Sequence, residues 1–185
     1  MVTILVANGF ECAEALVTLD LLHRAGIDAD LTALDSGEVV SANGVVVKAD
    51  RVLSEVGTEA FGKDLEMLIL AGGLGNVTTL RESPAVKKVV TQVAAEGRYL
   101  AAICAAPLIL AGRGLVDGRD IVCYPGMEPE MGAANVLVGS KVVTDGKMIT
   151  GQGPGAVFDF ALKLIEMLRG AAVMQAVKKE VHYCD

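Results

Sequence analysis

Tyr99-Leu100-Ala101-Ala102-Ile103-Cys104-Ala105-Ala106-Pro107 is the segment on which the fold reading turns. Tyr99 to Ile103 reads as an apolar strand, and Ala105 to Ala111 as a helix that starts at once after Cys104. A strand that bends this sharply into a helix leaves its junction residue at the carboxyl edge of a sheet, facing the unpaired backbone N–H groups of the helix amino terminus. A cysteine there is expected to favour its thiolate, because such surroundings bring a thiol pKa from about 8.5 down into the range of roughly 3.5–7.5. The competing reading is a small apolar side chain closing a buried strand, a common use of cysteine.

Working outward, the chain alternates strand and helix. Glu66 to Ala71 is a short apolar run that ends in a tight loop at Gly72-Gly73. Ser83-Pro84 supplies an N-cap and a first-turn proline for a helix whose apolar stripe is Val86, Val89, Val90 and Val93 and whose stop is Gly97. Nearer the start, Val2 to Ala7 reads as a buried strand, Ala13 to Ala25 as a helix with Leu16, Leu19 and Leu22 on one side, and Asp28 to Leu34 as a second strand. Val39-Val40 and Val45-Val46-Val47 flank an Asn43-Gly44 corner, a hairpin expected to decorate the sheet edge. Beyond Cys104 come short strands at Ile121–Cys123, Val136–Val138, Val142–Thr144 and Met148–Thr150, with a turn at Asp145-Gly146. An amphipathic helix from Val157 to Leu168 ends at Gly170, and a shorter one spans Ala171 to Lys178. The pattern predicts one α/β domain over residues 1–185, a sandwich with a mainly parallel central sheet.

Composition narrows the functional classes. Sixteen basic against twenty-three acidic side chains in 185 residues give a formal charge of −7, which opposes binding to nucleic-acid phosphates. Every long uncharged run is broken by glycine or proline, so a membrane span is not expected. The opening Met1-Val2-Thr3 lacks a basic n-region, and a cytoplasmic location is the expectation. Cys12, Cys104, Cys123 and Cys184 lie far apart and only two histidines are present, a pattern that suggests neither a disulfide framework nor a metal site.

Two further segments bear on Cys104. Gly72-Gly73 would bring backbone N–H groups to the same sheet edge, suited to an oxyanion. Glu14 opens the first helix, whose start also falls at that edge. A carboxyl group beside a thiolate favours its own neutral form and can then donate a hydrogen bond to sulfur. An acid stabilised by the helix macrodipole is the alternative for Glu14.

Ala7-Asn8-Gly9-Phe10-Glu11-Cys12-Ala13-Glu14, Leu70-Ala71-Gly72-Gly73, Ala101 to Pro107 and Gly151-Gln152-Gly153-Pro154-Gly155, in that order, resemble the DJ-1/ThiJ/PfpI superfamily, its DJ-1 branch in particular. The resemblance implies a flavodoxin-like three-layer sandwich, usually a homodimer. It implies that Cys104 is the nucleophile, Glu14 its hydrogen-bonded acid, and Gly72, Gly73 and the N–H of Ala105 the oxyanion pocket. It places Arg24 near the dimer-facing part of the site, and Cys12 and Cys123 are candidates to flank the pocket.

Where many relatives carry a histidine before a proline, this chain has Tyr124-Pro125, and tyrosine, with a pKa near ~10, is a weak base at neutral pH. A Cys-His-acid triad is therefore not expected, and the Cys-His dipeptide of protease-like members is absent, since Ala105 follows Cys104. The activity implied is glyoxalase III or deglycase chemistry on a small 2-oxoaldehyde such as methylglyoxal, with no metal or organic cofactor. A redox-responsive protein whose Cys104 reaches sulfenic or sulfinic acid is the alternative. A flavin or nucleotide binder would rest on the glycines, but Gly73-Leu74-Gly75 lacks the third fingerprint glycine and the Gly151 to Gly155 run reads as a tight turn.

Overall fold

The structure is a computed structural model and describes residues 1–63 and 65–184. Its strands are β1 (Val2–Val6), β2 (Ala29–Ala33), β3 (Glu38–Val40), β4 (Val46–Lys48), β5 (Arg51–Val52), β6 (Met67–Leu70), β7 (Tyr99–Ile103), β8 (Asp120–Ile121), β9 (Asn135–Val136), β10 (Val142–Asp145) and β11 (Met148–Gly151). Its helices are α1 (Cys12–Arg24), α2 (Leu53–Val56), α3 (Thr58–Gly62), α4 (Leu74–Glu82), α5 (Pro84–Ala95), α6 (Pro107–Ala111), α7 (Val157–Arg169) and α8 (Ala171–Glu180).

Seven strands form the central sheet in the order β10-β11-β7-β6-β1-β2-β5, parallel except for the β10-β11 hairpin. Every residue of β1 and β6 is buried, the requirement for a parallel sheet covered on both faces. Helices α1, α7 and α8 pack together on one face and α3 to α6 on the other, which makes the three layers expected from the sequence. The fold is flavodoxin-like. Among the described residues no helix is long and apolar enough to cross a membrane.

The chain steps from β1 to β2 on one side and then returns to place β6 on the other. Strand order therefore reverses between β1 and β6, and a crevice opens outside the carboxyl ends at that point. Asn8 to Glu11, Gly72-Gly73, Cys104 and Gln152 all follow directly on strands that end at this edge.

Three local expectations are corrected. The β3-β4 hairpin does not extend the sheet, whose edge there is β5; it forms a separate two-stranded sheet. The loop after β1 captures it: Gly9 N–H donates to Val40 O at 2.7 Å, Val40 N–H to Asn8 Oδ1 at 2.9 Å and Ala42 N–H to Phe10 O at 2.8 Å. The helix after β7 starts at Pro107 rather than Ala105, with a turn closed by Ala106 N–H to Ile103 O at 3.0 Å. Finally, the segment after Gly73 is not only a loop but the helix α4. Its Gly75, Thr78 and Thr79 are poor helix formers, so propensity hides it, and only Val77, Leu80 and Asn76 turn inward.

Candidate functional site

Cys104 is held at φ +65°, the left-handed region that a side chain with a Cβ rarely adopts; among the described non-glycine residues only His182 shares a positive φ. Such strain, of order 1–3 kcal/mol, persists because the surroundings fix both ends of the turn. Cys104 N–H donates to Gly151 O at 2.9 Å, and Cys104 O accepts from Tyr124 N–H at 2.8 Å. The result is a strand-to-turn elbow that lifts the sulfur off the line of β7 into a cleft of about 480 Å³. The residue is 9% exposed, nearly enclosed but open to that cleft.

Gly72 and Gly73 make room for this arrangement. A Cβ on Gly72 would lie 2.5 Å from Glu14 Oε2 and 2.6 Å from Cys104 Cβ, so glycine alone lets the carboxyl and the thiol meet across the loop. Gly73 has φ +91°, and a Cβ there would lie 2.2 Å from Gly9 O. The glycine loop is braced by Asn76, which is fully buried: its Oδ1 accepts from Ala7 N–H at 2.6 Å, and its Nδ2 donates to Ala71 O at 2.7 Å and Gly72 O at 3.1 Å. Asn76 is a positioning residue that sequence reasoning missed. Its one signal was a lone amide set among residues that follow a glycine pair.

Glu14 is 1% exposed in the first turn of α1. Its Oε2 accepts from Gly72 N–H at 2.8 Å, and its Oε1 is buried without a well-aligned partner. Burial pushes the carboxyl up from an ordinary 4.5 to about 7, against the lowering effect of Gly72 N–H and the neighbouring thiol. The neutral acid expected from the sequence thus has a physical basis, namely desolvation.

The expected lowering of the thiol is corrected. Burial, and then the Glu14 carboxylate, push the Cys104 thiol up to about 12, outweighing the backbone N–H groups of Ala105 and Gly73 that face the sulfur. The helix contributes little, since it begins at Pro107 and runs only to Ala111. Between about 7 and about 12 the pair holds one proton, which can sit on sulfur or on the carboxyl. With the proton on Glu14, the thiolate is left facing the Ala105 and Gly73 N–H groups. Reactivity in this site therefore comes from a proton moved within the pair, not from a thiol acidic by itself.

The other anticipated residues divide. The structure brings Cys104, Glu14, Gly72, Gly73 and Ala105 together, but Gly72 N–H is taken by Glu14, so the donors free for an oxyanion are those of Gly73 and Ala105. Tyr124 lines the cleft, 45% exposed, with its ring over Gly153, where a Cβ would lie 3.2 Å from the ring carbon Cδ2. Thr150 Oγ1 accepts from Val122 N–H at 2.9 Å and ties that segment to β11.

Arg24 does not line the cleft of its own chain: it sits at the far end of α1, paired with Asp20 at 2.8 Å and Glu180 at 2.7 Å. Cys12 begins α1 half-buried and is not part of the cleft wall, and Cys123 is buried with its thiol pushed up to about 11 by burial and then by Glu128. Glu11, Ala42, Leu74, Met127 and Pro154 also line the wall and were not anticipated, because five separate segments of the chain bring them together. Among the described residues no group of three or more His, Cys, Asp or Glu side chains could hold a metal ion.

Comparison with known proteins agrees with this geometry. The sequence model of the DJ-1/PfpI family matches residues 1–167. Protein dj-1beta of Drosophila melanogaster is 36% identical over 178 residues, 95% of this chain and 93% of its own, and the crystal structure of Drosophila melanogaster DJ-1beta superposes with a TM-score of 0.93 over 100% of this chain and 98% of that one, at 32% identity. A Caenorhabditis elegans protein named glutathione-independent glyoxalase DJR-1.2 is 31% identical over 159 residues, 85% of this chain and 82% of its own. A structure described as Toxoplasma gondii DJ-1, oxidized, superposes with a TM-score of 0.91, covering 100% of this chain and 98% of that one, at 30% identity.

Proposed function

The chain belongs to the DJ-1/PfpI family, and we propose that it converts small 2-oxoaldehydes such as methylglyoxal to 2-hydroxy acids, without cofactor, through Cys104. The observation that carries this reading is the strained elbow of Cys104, its sulfur open to a cleft and set between two backbone N–H donors and a buried acid. The similarity to a protein named as a glutathione-independent glyoxalase supports the choice of substrate.

The reaction divides into steps this geometry can serve. Glu14 takes the thiol proton, and the sulfur attacks the aldehyde carbon: a C–S bond forms and the carbonyl pair moves onto oxygen, where the N–H groups of Gly73 and Ala105 hold the alkoxide. Glu14 returns its proton to that oxygen, giving a hemithioacetal. The carboxylate then removes the proton on the former aldehyde carbon, and the resulting enediol is reprotonated at the neighbouring carbon to give a thioester. Water hydrolyses the thioester, releasing the hydroxy acid and the thiol, so one methylglyoxal and one water yield one lactate.

Initial rates of methylglyoxal loss, with lactate measured in parallel, test the reading. Cys104→Ala is expected to abolish lactate formation and Glu14→Gln to lower it by roughly 10²–10⁴-fold, the usual worth of a general acid–base. Wild-type turnover no faster than that of Cys104→Ala overturns it.

A second reading is favoured by the same donors and by the unpartnered Oε1 of Glu14, which suit an oxygen bonded to sulfur. Here the thiolate attacks one oxygen of hydrogen peroxide, an S–O bond forms as the O–O bond breaks, the other oxygen leaves as hydroxide and takes a proton from solvent, and Cys104 becomes a sulfenic acid that a neutral Glu14 can hold by a hydrogen bond. Mass spectrometry after mild peroxide is expected to find oxygen first on Cys104; first addition at Cys184 counts against it. The proposal also includes a homodimer, motivated by the half-apolar groove of Leu16, Val17, Leu21, Phe158 and Val181 beside Arg24. Sedimentation at the monomer mass alone would remove that part.

A further inference from the structure

Among the described residues, the wall of the Cys104 cleft carries a single formal charge, and it is negative. Among the described residues, Glu11, half-buried at the start of α1, is the only ionisable side chain on that wall besides the cysteine and Tyr124, and no lysine, arginine or histidine is part of it. The rest is backbone and apolar surface, with Ala42, Leu74, Met127 and Pro154 among it. Apolar walls lower the local dielectric, so a fixed charge among them acts more strongly on an entering ion than it would in open water. Glu11 is also close enough for its charge to be felt at the reacting pair, where it helps to keep the Glu14 carboxyl neutral. Its backbone is pinned by Glu11 N–H to Gly72 O at 3.0 Å, so the side chain starts from a fixed point on the wall that Cys104 also lines. The Glu14 carboxyl also acts on the sulfur, but from behind it and outside the wall, and both reagents meet it equally in the wild type and in variants of Glu11. Glu128 likewise lies outside the wall and accepts from Gly126 N–H at 2.8 Å.

We propose that Glu11 sets the charge class admitted to Cys104: neutral or cationic electrophiles enter, while electrophiles bearing a carboxylate or phosphate are turned away. Applied to the reading above, on which the substrate assignment rests, this makes the substrates uncharged or amine-bearing 2-oxoaldehydes. It also gives the site a means of releasing its product, since hydrolysis converts a neutral substrate into a carboxylate beside Glu11. Glu11 is a specificity-determining residue in this scheme, not a participant in bond making.

The test uses two alkylating agents of nearly the same size, neutral iodoacetamide and anionic iodoacetate, with modification at Cys104 followed by peptide mass spectrometry. In each case the thiolate displaces iodide and forms one C–S bond. Both reagents use the same thiolate, so any change in its amount cancels in the ratio of rates, and far-UV circular dichroism checks that each variant keeps the fold. Normalised to N-acetylcysteine, the wild-type ratio of iodoacetamide to iodoacetate is expected to be roughly tenfold. It should shrink as salt is raised from about 0.01 M to about 1 M, over which the Debye length falls from about 30 Å to about 3 Å.

Glu11→Gln should reduce the ratio to within about threefold of the free thiol by speeding iodoacetate alone, and Glu128→Gln should leave most of it in place. A ratio unchanged in Glu11→Gln, or reduced equally in Glu128→Gln, overturns the proposal. Because no turnover is measured, a protein that makes no lactate can still support the gate, and one that makes lactate can still refute it.

Discussion

Cys104 and Cys123 are both buried, both follow closely on a strand (β7 and β8), and both have thiols pushed up by burial, to about 12 and about 11. Acidity alone does not tell the two apart as nucleophiles, since burial raises both. The difference lies in what each sulfur faces. Cys104 stands on a left-handed residue, opens on a cleft, and has two backbone N–H donors and an acid able to exchange a proton with it. Cys123 has a neighbouring carboxylate that only raises its pKa, and no place on the cleft wall. A high thiol pKa marks a buried cysteine; a place to send the proton and a place to receive charge mark a reactive one.

The largest expected effect tests that contrast directly. Iodoacetamide at pH 8 should modify Cys104 at least ~100-fold faster than Cys123 in the folded protein, since access and stabilisation of the thiolate govern the rate. Peptide mapping that finds the two alkylated at similar rates would remove the distinction. Gly72→Ala sharpens it from the other side. The new methyl would fall 2.5 Å from Glu14 Oε2 and 2.6 Å from Cys104 Cβ, so the acid and the thiol must move apart. Overpacking of this kind costs about 1–3 kcal/mol of stability, and a displacement near 1 Å at the reacting centre costs about 10²-fold in rate. The expected result is a folded protein whose Cys104 behaves like Cys123; unchanged alkylation kinetics would mean that the glycine does not hold the pair together.

Much of this contrast was legible in the sequence, and the part that was not has a physical reason. The apolar run Tyr99 to Ile103 closing on Cys104 gave the elbow, and Gly72-Gly73 with Glu14 gave its two neighbours, because strand ends and helix starts in a parallel sheet share one edge. The sign of the thiol shift was missed: local reasoning counts donors near a sulfur but not the water removed by the layers packed around it, and here desolvation is the larger effect. The far placement of Arg24 follows from helix geometry, as within one chain a residue near the carboxyl end of α1 cannot share the site of Glu14 in its first turn. Asn76, Glu11 and Met127 were invisible because each enters the site through a tertiary contact that leaves no periodic trace.

Glu14 gives an intermediate effect with a definite sign. Its carboxyl titrates at about 7 in the folded chain and near 4.5 when unfolded, so between those values the folded state binds more protons. Stability is therefore fully present below pH 4.5 and is lost as pH rises through about 7, by on the order of 3 kcal/mol for a shift of this size. Urea midpoints across that window should fall in the wild type relative to Glu14→Gln, which cannot titrate. Over the same window the alkylation rate of Cys104 should rise as the pair loses its second proton, with an inflection near pH 7 that Glu14→Gln lacks. Cys123, without such an acid, should show no inflection there.

The smallest effect concerns the segment that joins the two cysteines. Val122 N–H donates to the buried Thr150 Oγ1 at 2.9 Å, and two residues further on Tyr124 N–H donates to Cys104 O at 2.8 Å. Thr150→Val keeps the shape but removes the acceptor, leaving a buried N–H unpaired at a cost of about 1–2 kcal/mol. Because that segment carries Cys123 at its centre and Tyr124 over the cleft, its loosening should speed alkylation of Cys123 through local opening while changing Cys104 little. If Cys104 slows by the larger factor instead, the elbow depends on the Val122 to Tyr124 segment for its strain, and the two cysteines belong to one mechanical unit rather than to separate environments.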